Sequence, residues 1–147
     1  MKSGYGKLAT ALSINTVVMF LLTYIMIADI GHFHANLNRI YMALVMVAPM
    51  GIVMLIVMRG MFPDRRLNGF LHLGFAALLV VGFALARTQT PIGNGQFLRS
   101  MIPHHSSAIL MCEESAITDP EIVRLCDEIV KAQREEIAQM EGILERY

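Results

Sequence analysis

The sequence predicts an all-α protein with three transmembrane helices followed by an antiparallel two-helix hairpin. Three observations support this fold class. The 147-residue chain is 55% apolar, with twelve Met and no Trp, which is too apolar for an ordinary soluble domain of this size. Residues 1–90 contain three long apolar runs. Residues 91–147 are more polar and show helical periodicity.

The three apolar runs cover residues 8–28, 40–58 and 70–86. They contain no Asp, Glu, Lys or Arg, and each is close to the roughly 20 residues that cross the hydrocarbon core as a helix. The first run follows Lys2 and Lys7, as the apolar core of a signal peptide would. Its length and the lack of a small-x-small cleavage site predict a retained span instead.

Charge is distributed unevenly along the chain, although the formal net charge is zero. Residues 1–90 hold seven Lys and Arg against two Asp and Glu, whereas residues 91–147 hold five against ten. The acidic tail argues against nucleic acid as a partner. The basic flanks of the spans predict a cytoplasmic N-terminus. The bases assigned to the cytoplasmic side are Lys2, Lys7, Arg59, Arg65 and Arg66, against Arg39 and Arg87 on the other side.

This topology predicts a multi-pass protein of the bacterial inner membrane with two domains. Residues 1–90 form the membrane domain, and residues 91–147 form an extracytoplasmic hairpin. The second tail helix is expected to begin at a capping segment around Asp119 and Pro120. A hairpin of about 50 residues is small for an independent core. It is therefore expected to dimerise into a four-helix bundle or to dock on the membrane domain.

The segment from residue 101 to residue 112 is the most informative part of the tail. Two adjacent imidazoles, two thioethers and a thiol fall within about three helical turns, on roughly a third of the helix circumference. Imidazole with thioether or thiolate suits copper, Cu(I) especially. Core packing is the competing interpretation, although a buried His needs a partner for each ring nitrogen. The donors are Met101, His104, His105, Met111 and Cys112.

The tail resembles the family called domain of unknown function 305, which includes CopM-like copper-binding proteins of bacteria. The resemblance covers roughly residues 95–147. It rests on Met-x-Pro-His-His at residues 101–105, a later Met, and Gln-x-x-Glu-Ile-x-x-Met at residues 133–140. It implies a ferritin-like helical bundle in an extracytoplasmic or membrane-anchored protein. The copper ligands that it implies are Met101, His104, His105, Met111 and Met140.

Three further features of the tail and its neighbouring loop have competing interpretations. His32 and His34 form either a second copper site or part of a solvated loop. Cys112 and Cys126 are expected to lie too far apart along the hairpin axis for an intrachain disulfide. A disulfide between the two chains of a dimer is the alternative. Pro103 cannot donate to the carbonyl four residues earlier and is expected to kink its helix.

Five methionines recur at every fourth residue of the second span. Each step drifts by 40° around the helix, so the row wraps around it. Helix packing in lipid is the favoured interpretation, with a Cu(I) conduit as the alternative. The row consists of Met42, Met46, Met50, Met54 and Met58.

The sequence thus predicts a membrane-anchored copper-binding protein for sequestration, tolerance or delivery of Cu(I), and not an enzyme. No Glu-x-x-His pair of a di-iron bundle occurs in the sequence. Membrane lipid, a second copy of the chain and a copper transporter or chaperone are the expected partners. Two alternatives stay open: a non-metal assembly module whose hairpin oligomerises, and an accessory subunit of a metal transporter.

Overall fold

The computed structural model describes residues 3–147, and the fold over this range is all-helical, as predicted. Short 3-10 turns at Ile30–His32 and Arg59–Met61 lie between the first three helices. The five α-helices are α1 (Ser3–Leu22), α2 (Leu37–Val57), α3 (Arg65–Thr88), α4 (Asn94–Glu114) and α5 (Pro120–Leu144).

The helices belong to two compact units. The first runs up to Thr23 and resumes over Asn38–Pro91, and the second comprises Tyr24–Leu37 and Ile92–Tyr147. The first unit ends at Pro91. The division differs from the predicted one for residues 24–37, which the sequence assigned to the membrane domain. They belong to the second unit because their polar groups bond to α4.

The first unit contains the three predicted spans. Gly4–Leu22, Leu37–Val57 and Arg65–Thr88 are each long and apolar enough to cross a membrane. Many of their large apolar side chains are exposed, as expected for helices that face lipid on most sides. A small core joins them, formed by Leu8, Leu12, Val47, Leu55 and Phe62.

The first span is shorter than predicted at its C-terminal end. The apolar run continues to Ala28, but α1 ends at Leu22. The next residue, Thr23, donates its hydroxyl to the Phe20 carbonyl at 2.6 Å, and its own carbonyl accepts from the Arg39 guanidinium. These hydrogen bonds give partners to backbone carbonyls at the C-terminal end of α1. The apolar residues that follow fold with the second unit.

The spans pack closely at a glycine and through polar contacts. A Cβ at Gly51 would lie 2.7 Å from the ring of Phe75, so the approach of the ring to α2 requires glycine. The Asn15 amide donates to the Met50 sulfur. Internal partners of this kind satisfy polar groups inside a lipid-facing helix bundle.

The methionine row of α2 divides between two environments. Met50 and Met54 pack against the core of the first unit, whereas Met42, Met46 and Met58 are exposed. This division matches the predicted wrapping of the row. A packing role accounts for the inward members, and the outward ones lie on the exposed surface of a helix long and apolar enough to cross a membrane.

In the second unit, α4 and α5 form the predicted antiparallel hairpin. The Asn94 amide donates to the Tyr147 hydroxyl at 3.0 Å at one end. Asp119 caps α5, because its carboxylate accepts from the backbone N–H of Glu121 at 2.8 Å, and Pro120 occupies the first turn. The predicted capping segment is thereby confirmed. The buried core of the hairpin consists of Ile102, Ile109 and Ile137, with Val130, Met140 and Leu144 packed against it.

The segment 24–37 is bound to α4 by polar contacts. The Ala28 N–H donates to the Ser106 hydroxyl at 2.8 Å, and the Leu37 N–H donates to the Gln96 side-chain oxygen at 3.0 Å. Ser106 is fully buried, so its hydroxyl needs such partners. This segment is therefore a structural part of the hairpin unit rather than a free loop.

Candidate metal-binding site

The two adjacent histidines of α4 occupy different environments. His105 is buried, with 9% of its surface exposed, while His104 is exposed. Their ring centroids are 6.1 Å apart and the rings are roughly perpendicular. The separation follows from the 100° step between neighbouring helical residues. One His therefore points into the hairpin and the other points away from it.

Both ring nitrogens of His105 have protein partners. Nδ1 lies 2.9 Å from the Met101 carbonyl oxygen, and Nε2 lies 2.7 Å from the Glu136 carboxylate. A carbonyl only accepts, so Nδ1 carries a hydrogen. The short Nε2 contact then needs a second proton, on His105 or on Glu136. A metal at Nε2 would have to take the place of that proton.

Glu136 is a functional candidate that the sequence reasoning missed. It lies in the Gln-x-x-Glu-Ile segment of α5 and pairs with His105 across the hairpin. A usable signal existed, because a buried His requires two partners and Glu136 precedes the core residue Ile137. Choosing Glu136 among the many acids of α5 required the tertiary alignment of the two helices.

The predicted methionine ligands do not all converge on His105. Met101 is half-buried, and Met140 is half-buried against the isoleucine core. Met111 is 57% exposed and stands two turns from His104 on the outward side of α4. The five donors thus divide into an inner group, Met101, His105 and Met140, and an outer group, His104 and Met111.

Cys112 and Cys126 form an intrachain disulfide, with their Cα atoms 5.3 Å apart. The prediction that they lie too far apart was wrong. It assumed that both helices start level at the turn, but residues 115–119 form an extended connection. This connection lets α5 begin about 6 Å beyond the end of α4, which brings the two residues level. In this oxidised form Cys112 offers no thiolate to a metal.

The histidines of the 24–37 segment also contact the hairpin unit. His32 Nδ1 lies 2.8 Å from the Ser106 hydroxyl. His34 borders a groove of about 410 Å³ with Glu141 and Glu145, and its Nε2 is buried with no hydrogen-bond partner among the described residues. Burial lowers the pKa of His34 and the Arg99 guanidinium lowers it further, while Glu141 acts in the opposite direction. The neutral imidazole that results is the form that binds metals.

The carbonyl freed by Pro103 has found a partner outside α4. Pro103 lies inside the helix and cannot donate to the Arg99 carbonyl. The Asn36 side-chain amide donates to that carbonyl at 3.1 Å. The same amide donates to the His34 carbonyl at 2.9 Å. Asn36 therefore ties the histidine-bearing segment to the helix position where the backbone ladder is interrupted.

The donor side chains are of types that suit copper, but one chain does not bring enough of them together to surround an ion. Across residues 3–147, no group of three or more His, Cys, Asp and Glu side chains is arranged to hold a metal ion. Thioether and imidazole donors suit Cu(I), but the outer group consists of two residues and the inner His is already hydrogen-bonded. Binding by the outer group requires further ligands from elsewhere.

The fold and the candidate site define a helical protein in which three potential membrane spans accompany a disulfide-closed hairpin bearing soft donors. The model of the family described as "Domain of unknown function (DUF305)" matches residues 84–144. The chain is 34% identical over 119 residues to "Uncharacterized protein L153" of Acanthamoeba polyphaga mimivirus, which covers 80% of this chain and 76% of the relative. No solved structure matches the chain significantly.

The chain belongs to the domain of unknown function 305 family, which confirms the resemblance seen in the sequence. The similarity to the viral protein is longer than the hairpin, because 119 of 147 residues are aligned. It therefore extends into the apolar spans, which lay outside the resemblance drawn from the tail motifs.

Proposed function

We propose that this protein binds copper, Cu(I) in particular, at its extracytoplasmic hairpin for sequestration, tolerance or delivery. Coordination by His nitrogen and Met sulfur would carry the function, with no chemical turnover. Membrane lipid, a second copy of the chain and a copper transporter or chaperone are the proposed partners. The ligand candidates are Met101, His104, His105, Met111 and Met140, with His32 and His34 as a second set.

The observation that carries this proposal is the exposure of His104 and Met111 on one side of α4. Two soft donors stand two turns apart on this side, and the charged residue of α4 nearest to them, Glu114, lies about 60° from Met111 around the helix. A solvated helix surface would ordinarily present charged side chains there. Imidazole and thioether donors favour Cu(I) over hard cations.

Two features support the extracytoplasmic location of the hairpin. Disulfides persist in oxidising compartments and are rare in the cytosol, and the hairpin carries the Cys112–Cys126 bond. The excess of basic residues around the N-terminus and residues 59–69 independently favours a cytoplasmic N-terminus. With three spans, both arguments put the hairpin on the opposite side, which in a bacterium is outside the inner membrane.

Copper binding is tested by competition between the full-length protein in detergent and a colorimetric Cu(I) chelator of known affinity. We expect the parent to withdraw Cu(I) from the chelator. Replacing the donors of α4, by His104→Ala, His105→Ala, Met101→Leu and Met111→Leu together, should weaken binding by more than about 100-fold. Changes in outer-shell residues alone cost about 10–100-fold at metal sites.

The matched control replaces two exposed methionines of the second span, Met42→Leu with Met46→Leu, and should bind Cu(I) like the parent. Equal binding by the fourfold variant and the parent would overturn the proposed site. Vesicle uptake by the Met42 and Met46 variant addresses the conduit alternative, for which reduced flux is the supporting result.

The orientation is tested by adding protease to intact cells. We expect the acidic tail to be cut from outside, at exposed residues around Lys131 and Arg134, while an N-terminal tag stays protected. The arginines of residues 59–69, Arg59, Arg65 and Arg66, serve as the control, since the chain should be cut there only after lysis. Cleavage of the tail only after lysis would invert the topology.

A non-metal assembly module is the second candidate, and the bonding of His105 favours it. This His is fully satisfied by the Met101 carbonyl and the Glu136 carboxylate, as a structural core histidine would be. Under this alternative the hairpin oligomerises and the histidines serve packing. An oligomer that forms in the presence of a strong Cu(I) chelator, with no copper bound by the parent, would favour it.

A further inference from the structure

One side of α4 carries a stripe of uncharged side chains that is exposed among the described residues 3–147. Phe97, His104 and Met111 recur at seven-residue intervals, so they lie within about 40° of one another around the helix. All three are exposed, while Ile102, His105 and Ile109 are buried on the other side of α4. We call Phe97, His104 and Met111 the outer stripe.

Most of the helix surface beside the outer stripe is uncharged. Arg99 lies well away from the stripe around the helix, and of the two acids that end α4, Glu113 lies on the opposite side and Glu114 lies about 60° from Met111. The hairpin buries three isoleucines in its core. Other apolar side chains, such as Ile122 and Leu125 of α5, stay exposed. An exposed apolar surface of this kind is typical of an interface.

The spacing of the donors makes the part of the stripe from His104 to Met111 complementary to itself. A two-fold axis midway between residues 104 and 111 places each residue opposite the other on an antiparallel copy of α4. Isologous interfaces have this property, because residue i contacts residue j and j contacts i. The axis passes between Ser107 and Ala108, whose small side chains allow close approach. Interaxial distances of about 8–10 Å are bridged by a His from one helix and a Met from the other.

We propose that two copies of this chain pair through the outer stripe of α4, so that His104 of one copy and Met111 of the partner subunit hold Cu(I) together. The pairing creates two equivalent sites, about 10 Å apart along the helix axis. The inference rests on the copper-binding function proposed above and adds where the missing ligands come from. It explains why one chain presents His104 and Met111 two turns apart on one side of α4 without closing a site around them.

The test uses full-length protein in detergent, with two differently tagged chains co-expressed and purified through both tags. One chain carries His104→Ala and the other carries Met111→Leu. Each variant alone should form dimers that lose the shared sites. Their heterodimer keeps one His104 and one Met111, opposite each other, so it should regain one of the two shared Cu(I) sites. Competition with a Cu(I) chelator measures the number bound.

The reciprocal heterodimer is the matched control, because it contains the same two substitutions in a different arrangement. It pairs a wild-type chain with a chain that carries both His104→Ala and Met111→Leu. Shared sites predict that no complete site remains in this heterodimer. Sites within one chain predict the reverse: one site in this control and none in the complementing pair. Since both residues are exposed, circular dichroism should show an unchanged helix content.

The outcomes separate this inference from the proposed function. Cu(I) bound by the reciprocal heterodimer but not by the complementing one overturns the shared site and leaves copper binding in place. A parent that binds Cu(I) as a monomer, shown by light scattering, does the same. A parent that cannot withdraw Cu(I) from the chelator overturns both. Restoration in the complementing heterodimer alone supports the shared site.

Discussion

Reducing the Cys112–Cys126 disulfide should loosen the tip of the hairpin more than any other single covalent change. The two cysteines are 14 residues apart, and cross-linking a loop of about 15 residues contributes about 3 kcal/mol. The hairpin has few other means of holding its tip, because Ile122 and Leu125 are exposed. The Arg134–Glu113 ion pair nearby is also exposed, and such pairs contribute little.

Hydrogen exchange on the full-length protein in detergent measures this effect. In a reducing buffer, amides in the last turn of α4 and the first two turns of α5 should exchange about 100-fold faster than in the oxidised protein, if most of the 3 kcal/mol is local. Amides of α2 should not change, and the variant Cys112→Ser with Cys126→Ser should be insensitive to the reductant. Equal exchange in the oxidised and reduced parent would show that the disulfide does not stabilise the tip.

The helical architecture was predictable because its signals are local. Apolar length alone identified three spans, and a single carboxylate, Asp119, with the following Pro120 identified the start of α5. The separation of His104 from His105 also follows from the 100° helical step. Each of these features depends on one continuous segment of the chain, so the sequence contains the information directly.

The features that sequence reasoning missed depend on the alignment of distant segments. Whether Cys112 meets Cys126 depends on the path of the extended connection between α4 and α5. The prediction failed because it displaced the two cysteines from each other by about 6 Å along the hairpin axis. The choice of Glu136 as the partner of His105 has the same origin. The end of α1 at Leu22 was missed because the apolar run continues to Ala28, and apolar content does not distinguish lipid contact from packing in the second unit.

The attachment of residues 24–37 to α4 has a physical cause that connects Pro103 of α4 with Asn36 of this segment. Pro103 was expected to leave a carbonyl free, and Asn36 was an unremarked loop residue. Buried carbonyls require a donor, and the Asn36 amide supplies it for Arg99. A proline in one helix therefore predicts an amide donor somewhere else in the fold, although it does not tell which residue provides it.

Replacing Asn36 by Leu should destabilise the hairpin unit by about 1–3 kcal/mol, the cost of leaving one buried acceptor without a partner. Asn36 is 2% exposed, and leucine has a similar volume, so the lost hydrogen bond dominates over a cavity. The His34 carbonyl keeps the Tyr24 hydroxyl as a donor at 2.7 Å. The Arg99 carbonyl has no such substitute, because residue 103 is proline. Exchange of α4 amides in the full-length protein measures the loss.

A second substitution tests whether the Arg99 carbonyl is the reason. Pro103→Ala restores a backbone N–H four residues after Arg99, which can complete the helical hydrogen bond. In that background Asn36→Leu should cost less than it does in the parent, and the difference is the coupling energy of the pair. Additive costs would show that Asn36 stabilises the unit through its other contacts. In that case the hydrogen bond from Asn36 to the Arg99 carbonyl would not be what holds residues 24–37 to α4.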